Sequence, residues 1–529
     1  MKRLMTQTLA SWLVLLTLLL SPTPTQAATL TVTNTNDSGS GSLRAQIAAA
    51  SAGDTIDFNA SLSGQTITLT SGEMIIDKNL TIDGSSLASA VTISGNNNGR
   101  IFDVTDATVS LTRLRLINGD SNTGDPGNND GDGGAIYVRD NANLTVTESE
   151  FANNQSEFNG GAIYNFNATL TLTNNTFTDN STQYSGGALR TFASQTVLIT
   201  GNTFVSNTAA EGGAVWTSGG AETMINNTFA NNSDYGTVYL YEPLTLTNNT
   251  FLGNNGVFIR NVNAVLHMRN NIIGRCNNVG GAIGTNINNW IVNNSCSPTY
   301  NGNPYLMPLA DNGGSTQTAA LMPFSGAING ANSSCPTTDQ RGQARSSTCD
   351  LGAYETQTAD HQTIQCHSGL VQGETYPFGA TGILMTVDTL GSLTQLCAQL
   401  TQSDHPNATA GLQTNRHWIL TRTAGADDWS LTLSAPVDFN LDSNDKLCRY
   451  TGVGTTWDCD QTSIDNSNNR ISRNGVTQLS PWAVGNNVDP TAVQLTDAIS
   501  IPATQPIFVI LIAFALTIIT LGVLRKRGC

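Results

Sequence analysis

Gly160-Gly161-Ala162-Ile163, Leu170-Thr171-Leu172-Thr173, Asn174-Asn175 and Phe177-Thr178-Asp179-Asn180 follow one another in one stretch, and its recurrence decides the fold. The glycine turn and its apolar strand return at Gly133-Gly134-Ala135-Ile136, Gly186-Gly187-Ala188-Leu189, Gly212-Gly213-Ala214-Val215 and Gly280-Gly281-Ala282-Ile283. A reduced copy reads Gly236-Thr237-Val238. The Phe-x-x-Asn motif returns at Phe151/Asn154, Phe204/Asn207, Phe229/Asn232 and Phe251/Asn254, with Phe-to-Phe steps of 26, 27, 25 and 22 residues. Such a period marks a solenoid, in which each unit buries its apolar side only against its neighbours. Strand alternation places the Leu residues of Leu170-Thr171-Leu172-Thr173 and Leu244-Thr245-Leu246-Thr247 inward and the Thr residues outward. The Asn pairs at 174–175, 226–227, 248–249 and 270–271 mark one corner. Asn tolerates left-handed backbone there, and stacked amides can bond from coil to coil. One coil per repeat gives a parallel β-helix, whereas a propeller blade needs a longer period.

Outward from the repeats, Ser42 to Ala50 reads as a soluble helix, with Ser42 as N-cap and Gly53 just beyond its end. It suits a cap over the first exposed coil. Lys2-Arg3, the apolar run Trp12 to Leu20 and Thr25-Gln26-Ala27 read as a signal peptide over 1–27. The β-helix then occupies 28–355. Residues 356–490 lose the period and alternate in short strands between Asn, Asp and Gly turns, which points to a β-sandwich serving as a stalk. A polar linker follows over 491–506. Residues 507–524 are apolar enough to anchor the chain in a membrane, with a basic tail over 525–529 kept cytoplasmic and everything before the anchor outside. An exported chain invites disulfides, and nearest-neighbour pairing gives Cys276–Cys296, Cys335–Cys349, Cys366–Cys397 and Cys448–Cys459, although spacing alone leaves the connectivity open. Cys529 is left over.

The alternating Gly-Gly-Ala-Ile and Phe-x-x-Asn motifs resemble those of chlamydial polymorphic outer-membrane proteins, β-helical surface domains that include adhesins. Gly41-Ser42-Leu43-Arg44 through Gly53-Asp54-Thr55-Ile56-Asp57-Phe58 looks like the N-terminal cap of bacterial right-handed β-helix surface proteins. Asp339-Gln340-Arg341-Gly342 and Asp350-Leu351-Gly352-Ala353-Tyr354-Glu355 look like their closing segment. Together these cover residues 28–355 and imply a right-handed parallel β-helix of the pectate-lyase-like kind. No C-terminal translocation barrel follows, so autotransport is not implied. Ile501-Pro502-Ala503-Thr504-Gln505 is loosely similar to sortase sorting motifs, with two substitutions.

A formal charge of −16 repels nucleic acid and anionic lipid, which excludes both as partners beyond the anchor itself. Catalysis by the β-helix hydrolase route needs two carboxylates within ~10 Å. The position before each glycine pair reads Asp132, Asn159, Ser185 and Glu211, so its two acids stand three coils apart, roughly 14 Å. Asp120, Asp125, Asp130 and Asp132 crowd an inserted loop ahead of Arg139 and could converge on calcium, the one cofactor in view. Their spacing matches no calcium-loop template, and a solvated acidic loop is the competing reading. Ile136, Ile163, Leu189, Val215 and Val238 must point inward, so their neighbours Tyr137, Tyr164, Arg190, Trp216 and Tyr239 should form an exposed strip one coil apart. Exposed aromatic rows are natural contact surfaces. The expected function is adhesin-like binding of a glycan or cell-surface protein by this strip. The alternatives are a polysaccharide lyase or hydrolase and a purely structural spacer, and the bland reading of the strip is that it stacks on itself or is covered by the loop 118–132.

Overall fold

The computed structural model describes residues 27–486, apart from 122–130, 234, 323–324, 332–333, 358–359, 361–363, 402–415, 423–425, 439–440, 442, 452–456 and 480. Nearly all of the expected signal peptide, and all of the linker, the anchor over 507–524 and the basic tail, lie outside the described residues. Among the described residues no helix is long and apolar enough to cross a membrane.

Each coil contributes three strands. Ile163–Phe166, Thr169–Thr173 and Thr176–Thr178 form a representative coil, and each pairs in parallel with its counterpart in the coils before and after. The first and second strands of all coils share an 18-stranded sheet and the third strands form a 10-stranded one. The register superposes Ile136, Ile163, Leu189, Val215 and Val238, all fully buried. Phe151, Phe177, Phe204, Phe229 and Phe251 stack down the interior with ring centroids 4.7, 4.8, 5.0 and 4.6 Å apart. That distance is the spacing of neighbouring strands, so the stack reports the rung directly.

The Asn pairs divide their labour. Asn174, Asn226, Asn248 and Asn270 take left-handed backbone with φ between 52° and 56° and turn the corner. Asn175, Asn202, Asn227, Asn249 and Asn271 point inward as a ladder. The Asn227 amide N–H donates to Asn249 Oδ1 at 3.0 Å, while its side-chain amide donates to the same oxygen at 2.9 Å and to the Ile199 carbonyl at 2.8 Å. The Asn of Phe-x-x-Asn builds a second ladder through Asn154, Asn180, Asn207, Asn232 and Asn254. These bonds satisfy corner groups that a buried turn would otherwise strand.

The N-terminal helix is Leu43–Ala49; Ser42 Oγ accepts from the Ala45 amide, and Leu43 and Ile47 seat it on the core. At the far end, the segment around Asp339–Glu355 lies along the outside of the solenoid. Gln340 Nε2 donates to Thr203 Oγ1 at 2.9 Å, Asn248 Nδ2 donates to the Asp350 and Gly352 carbonyls, and Arg345 pairs with Glu355 at 3.0 Å. Thr203, Thr228 and Thr250 face outward by alternation, yet this segment buries them.

Two features depart from the sequence expectation. Gly280-Gly281-Ala282-Ile283 is not another first strand: Ala282–Ile287 pairs with Val265–Arg269 in the second-strand position, and Cys276–Asn278 takes the first. The coil there shortens, and the glycines serve the intermediate corner. Likewise Leu189–Thr200 and Val215–Ile225 run through that corner as single strands, broken in register only beside Ala193 at φ 51°. In the first, the stretch Phe192-Ala193-Ser194-Gln195-Thr196 holds no Gly or Asn to end the strand; the second follows it in register through Gly219-Gly220.

The chain divides into two compact units, the first closing at Glu355 and the second starting at Thr356, with Leu321–Phe324 grouped with the second. The second unit is two antiparallel sheets of six and five strands. Leu396, Leu400, Trp418 and Trp482 from one sheet and Met385, Val387, Leu431 and Ile471 from the other share a single core. All four nearest-neighbour disulfides form: Cys276–Cys296, Cys335–Cys349, Cys366–Cys397 and Cys448–Cys459. The last two join residues directly opposite on neighbouring antiparallel strands.

Candidate ligand-binding face

Strand pairing places Tyr137, Tyr164, Arg190, Trp216 and Tyr239 in one column, one rung apart, and extends it to Phe258. The column exists, but it is not the exposed strip that alternation alone implies. Tyr164, Trp216 and Tyr239 retain 7%, 5% and 2% of their surface, and only Tyr137 and Arg190 are half-buried.

The reason is the glycine turn. Gly133, Gly160, Gly186 and Gly212 sit at φ between +62° and +74°, and a Cβ at Gly160 would stand 2.2 Å from the Ile163 carbonyl oxygen and 2.9 Å from the Tyr164 nitrogen. The chain therefore folds back against the strand it is about to enter, an approach only glycine allows. This carries the residues before the glycines over the column. Asp132, Asn159, Ser185 and Glu211 are bridged rung to rung, so the two acids do stand three coils apart. The Tyr239 hydroxyl donates to Glu211 Oε1 at 3.1 Å, Asn159 Nδ2 donates to Asp132 Oδ1 at 2.8 Å, and Arg190 Nη1 donates to Asn159 Oδ1.

Within the column the rings satisfy one another. Tyr137 stacks on Tyr164 at 5.3 Å and Tyr239 on Phe258 at 4.9 Å. The Arg190 guanidinium lies 4.4 Å from the Trp216 ring and 5.6 Å from Tyr164. Burial pushes Arg190 below the usual arginine value, opposed by Tyr164, Asp132 and Glu211; burial and then the Glu211 carboxylate push the Tyr239 phenol up. The column is thus largely packing.

What stays at the surface flanks it. Two residues further along the first strand, Phe166 and Phe192 stack at 5.9 Å, with Phe192 38% exposed. Just before the polar column, Phe158 and Tyr184 lie 5.8 Å apart at 36% and 55% exposure, followed by Tyr235 at 77%. Along the two coils that carry Asn159 and Ser185 the order is aromatic ridge, polar column, ring column, aromatic ridge. The same alternation rule that selected Tyr164 and Arg190 puts Phe166 and Phe192 on that face, so this ridge was available in the sequence. Phe158 and Tyr184 had their own signal, an aromatic two residues ahead of the glycine pair.

The calcium candidates do not assemble among the described residues. Asp125 and Asp130 lie outside them, Asp132 is engaged with Asn159, and no group of three or more metal-ligating side chains occurs among the described residues. Arg139 is ion-paired with Asp103 and Asp140 and lies 5.8 Å over the Tyr137 ring. A separate shallow cleft of about 360 Å³ lies on the second-strand face, lined by Thr245, Thr247, His267, Arg269 and Thr285.

The family model of the right handed beta helix region matches residues 39–251 and again 135–296. With the parallel rungs, this makes the protein a right-handed parallel β-helix protein. No curated protein matches the sequence. Among solved structures, the enzymatically active domain of tailspike protein 4 from bacteriophage CBA120 is similar at 9% identity and a TM-score of 0.20, covering 83% of this chain and 64% of that one. So distant a likeness is no guide to activity.

Proposed function

We propose that this is an exported surface protein whose β-helix binds a glycan across the two aromatic ridges. The observation that carries the reading is the pair of ring rows, Phe158 with Tyr184 and Phe166 with Phe192, left at the surface in rung register while the Phe151–Phe251 stack is buried. Such rings offer large contact area at low entropic cost, and the polar column between them supplies hydrogen-bonding groups for hydroxyls. Four disulfides fit export. The segment 507–524 would hold the chain in the cell envelope, with the second unit as a spacer. The test is Phe158→Ser, Tyr184→Ser and Phe192→Ser combined, read on a glycan array alongside thermal melting. Binding should be lost at an unchanged melting temperature; retained binding by the folded triple variant would remove this face from the account.

A further inference from the structure

The charges around the ridges restrict which glycan fits, an inference that rests on the glycan-binding reading above. Along the rungs from Asp132 to Glu211 the basic side chains are all committed. Arg100 is 1% exposed and paired with Glu73 at 2.7 Å; Arg139 is held by Asp103 and Asp140; Arg190 is stacked on Trp216 and bonded to Asn159. The exposed cation Arg260 follows Ile259, two rungs past the Val215 rung that Glu211 precedes, roughly 10 Å along the axis, and its charge is felt at the Tyr239 phenol. Carboxylates, by contrast, remain at the ligand side. Glu211 is half-buried with the neutral Tyr239 hydroxyl as its partner, and Glu157 is exposed beside Phe158.

We infer that the ligand is a non-anionic polysaccharide lying along the solenoid axis, and that uronic-acid chains are rejected. A strand spacing of ~4.8 Å is close to the length of one pyranose unit, so successive sugar rings meet successive rungs. Carboxylates such as Glu211 accept strongly from sugar hydroxyls. A substrate carboxylate ~5 Å from one of them is disfavoured roughly fourfold even at water-like dielectric, and Arg100, Arg139 and Arg190 are already engaged, which leaves Arg260, two rungs on, as an exposed cation. The same arrangement argues against polyuronide cleavage, which needs a cation at the substrate carboxylate.

The test titrates the full chain, in detergent, with cellohexaose, chitohexaose and hexagalacturonate at 20 mM and 500 mM salt, for the native protein and the pair Glu157→Gln with Glu211→Gln. Expected is binding of at least one neutral hexamer, with hexagalacturonate at least ~10-fold weaker at low salt and the gap shrinking severalfold in high salt and in the double variant. Hexagalacturonate binding as tightly as the neutral hexamers, or a gap indifferent to both salt and the substitutions, overturns the inference and leaves glycan binding standing. Failure of any glycan to bind overturns the proposed function itself.

Discussion

Glu222 occupies a position that belongs to an apolar residue. Its register partners are Val197 and Leu244, each 1% exposed, and its carboxyl points into the solenoid interior with the chain retaining 3% of its surface there. Oε1 accepts from the Thr191 hydroxyl at 2.6 Å, and Oε2 makes no hydrogen bond. Burial pushes the carboxyl from 4.5 up to about 7, opposed by the Thr191 and Thr217 hydroxyls. The folded chain therefore holds this proton more tightly than the unfolded chain. Its stabilising effect is fully present below about pH 4.5 and is lost as pH rises through about 7. At 1.36 kcal/mol per unit, the loss is about 3 kcal/mol. Glu222→Gln keeps an acceptor for Thr191 and cannot ionise, so the coils from 189 to 247 should become more resistant to opening at pH 8.5 by up to that amount, with little change at pH 4. Hydrogen exchange of those strands, compared at both values, is the assay, because a solenoid opens locally. Identical pH dependence in the native protein and the variant would refute the reasoning.

Three further outcomes follow from the packing. Asn227→Ala removes donors to Asn249 and Ile199 and leaves Asn202 without its acceptor, so amide protection at neighbouring corners should fall by about 1–3 kcal/mol. Trp216→Ala deletes a buried ring that stacks Arg190 and should destabilise its coil by about 3–5 kcal/mol in urea unfolding. Replacing Cys366 and Cys397 together by Ala opens a loop of 31 residues and should lower the stability of the second unit by about 3–4 kcal/mol, read by calorimetry with the β-helix transition as internal control.

The repeat made the core legible before any coordinates. Where one residue type returns at one position in every coil, as Phe177 and Phe204 do, alternation and period suffice to place it inside. The chemistry of the Asn pairs was equally readable, since an amide and a left-handed backbone preference belong to the residue itself. What stayed hidden depends on how the chain returns on itself. Nothing local shows that Gly160 folds its neighbours over Tyr164, so an outward column was read as an exposed one. Gly280 carries the same motif on a different strand because the coil before it shortens, which no motif match reveals. Glu222 was invisible for a related reason: Leu189–Thr200 and Val215–Ile225 run unbroken through the intermediate corner, so no break in the strand marks where its alternation restarts. The ridge residues Phe166 and Phe192 could have been named from the rule already in use.

The division between a packing column and a contact ridge is tested most directly by two variants read side by side on one glycan array and in one melting series. Phe158→Ser with Tyr184→Ser and Phe192→Ser should abolish binding while leaving the melting temperature in place. Trp216→Phe should lower the melting temperature while binding survives at permissive temperature. The opposite pattern, with ridge variants that bind and a Trp216 variant that is stable but does not, would contradict the account.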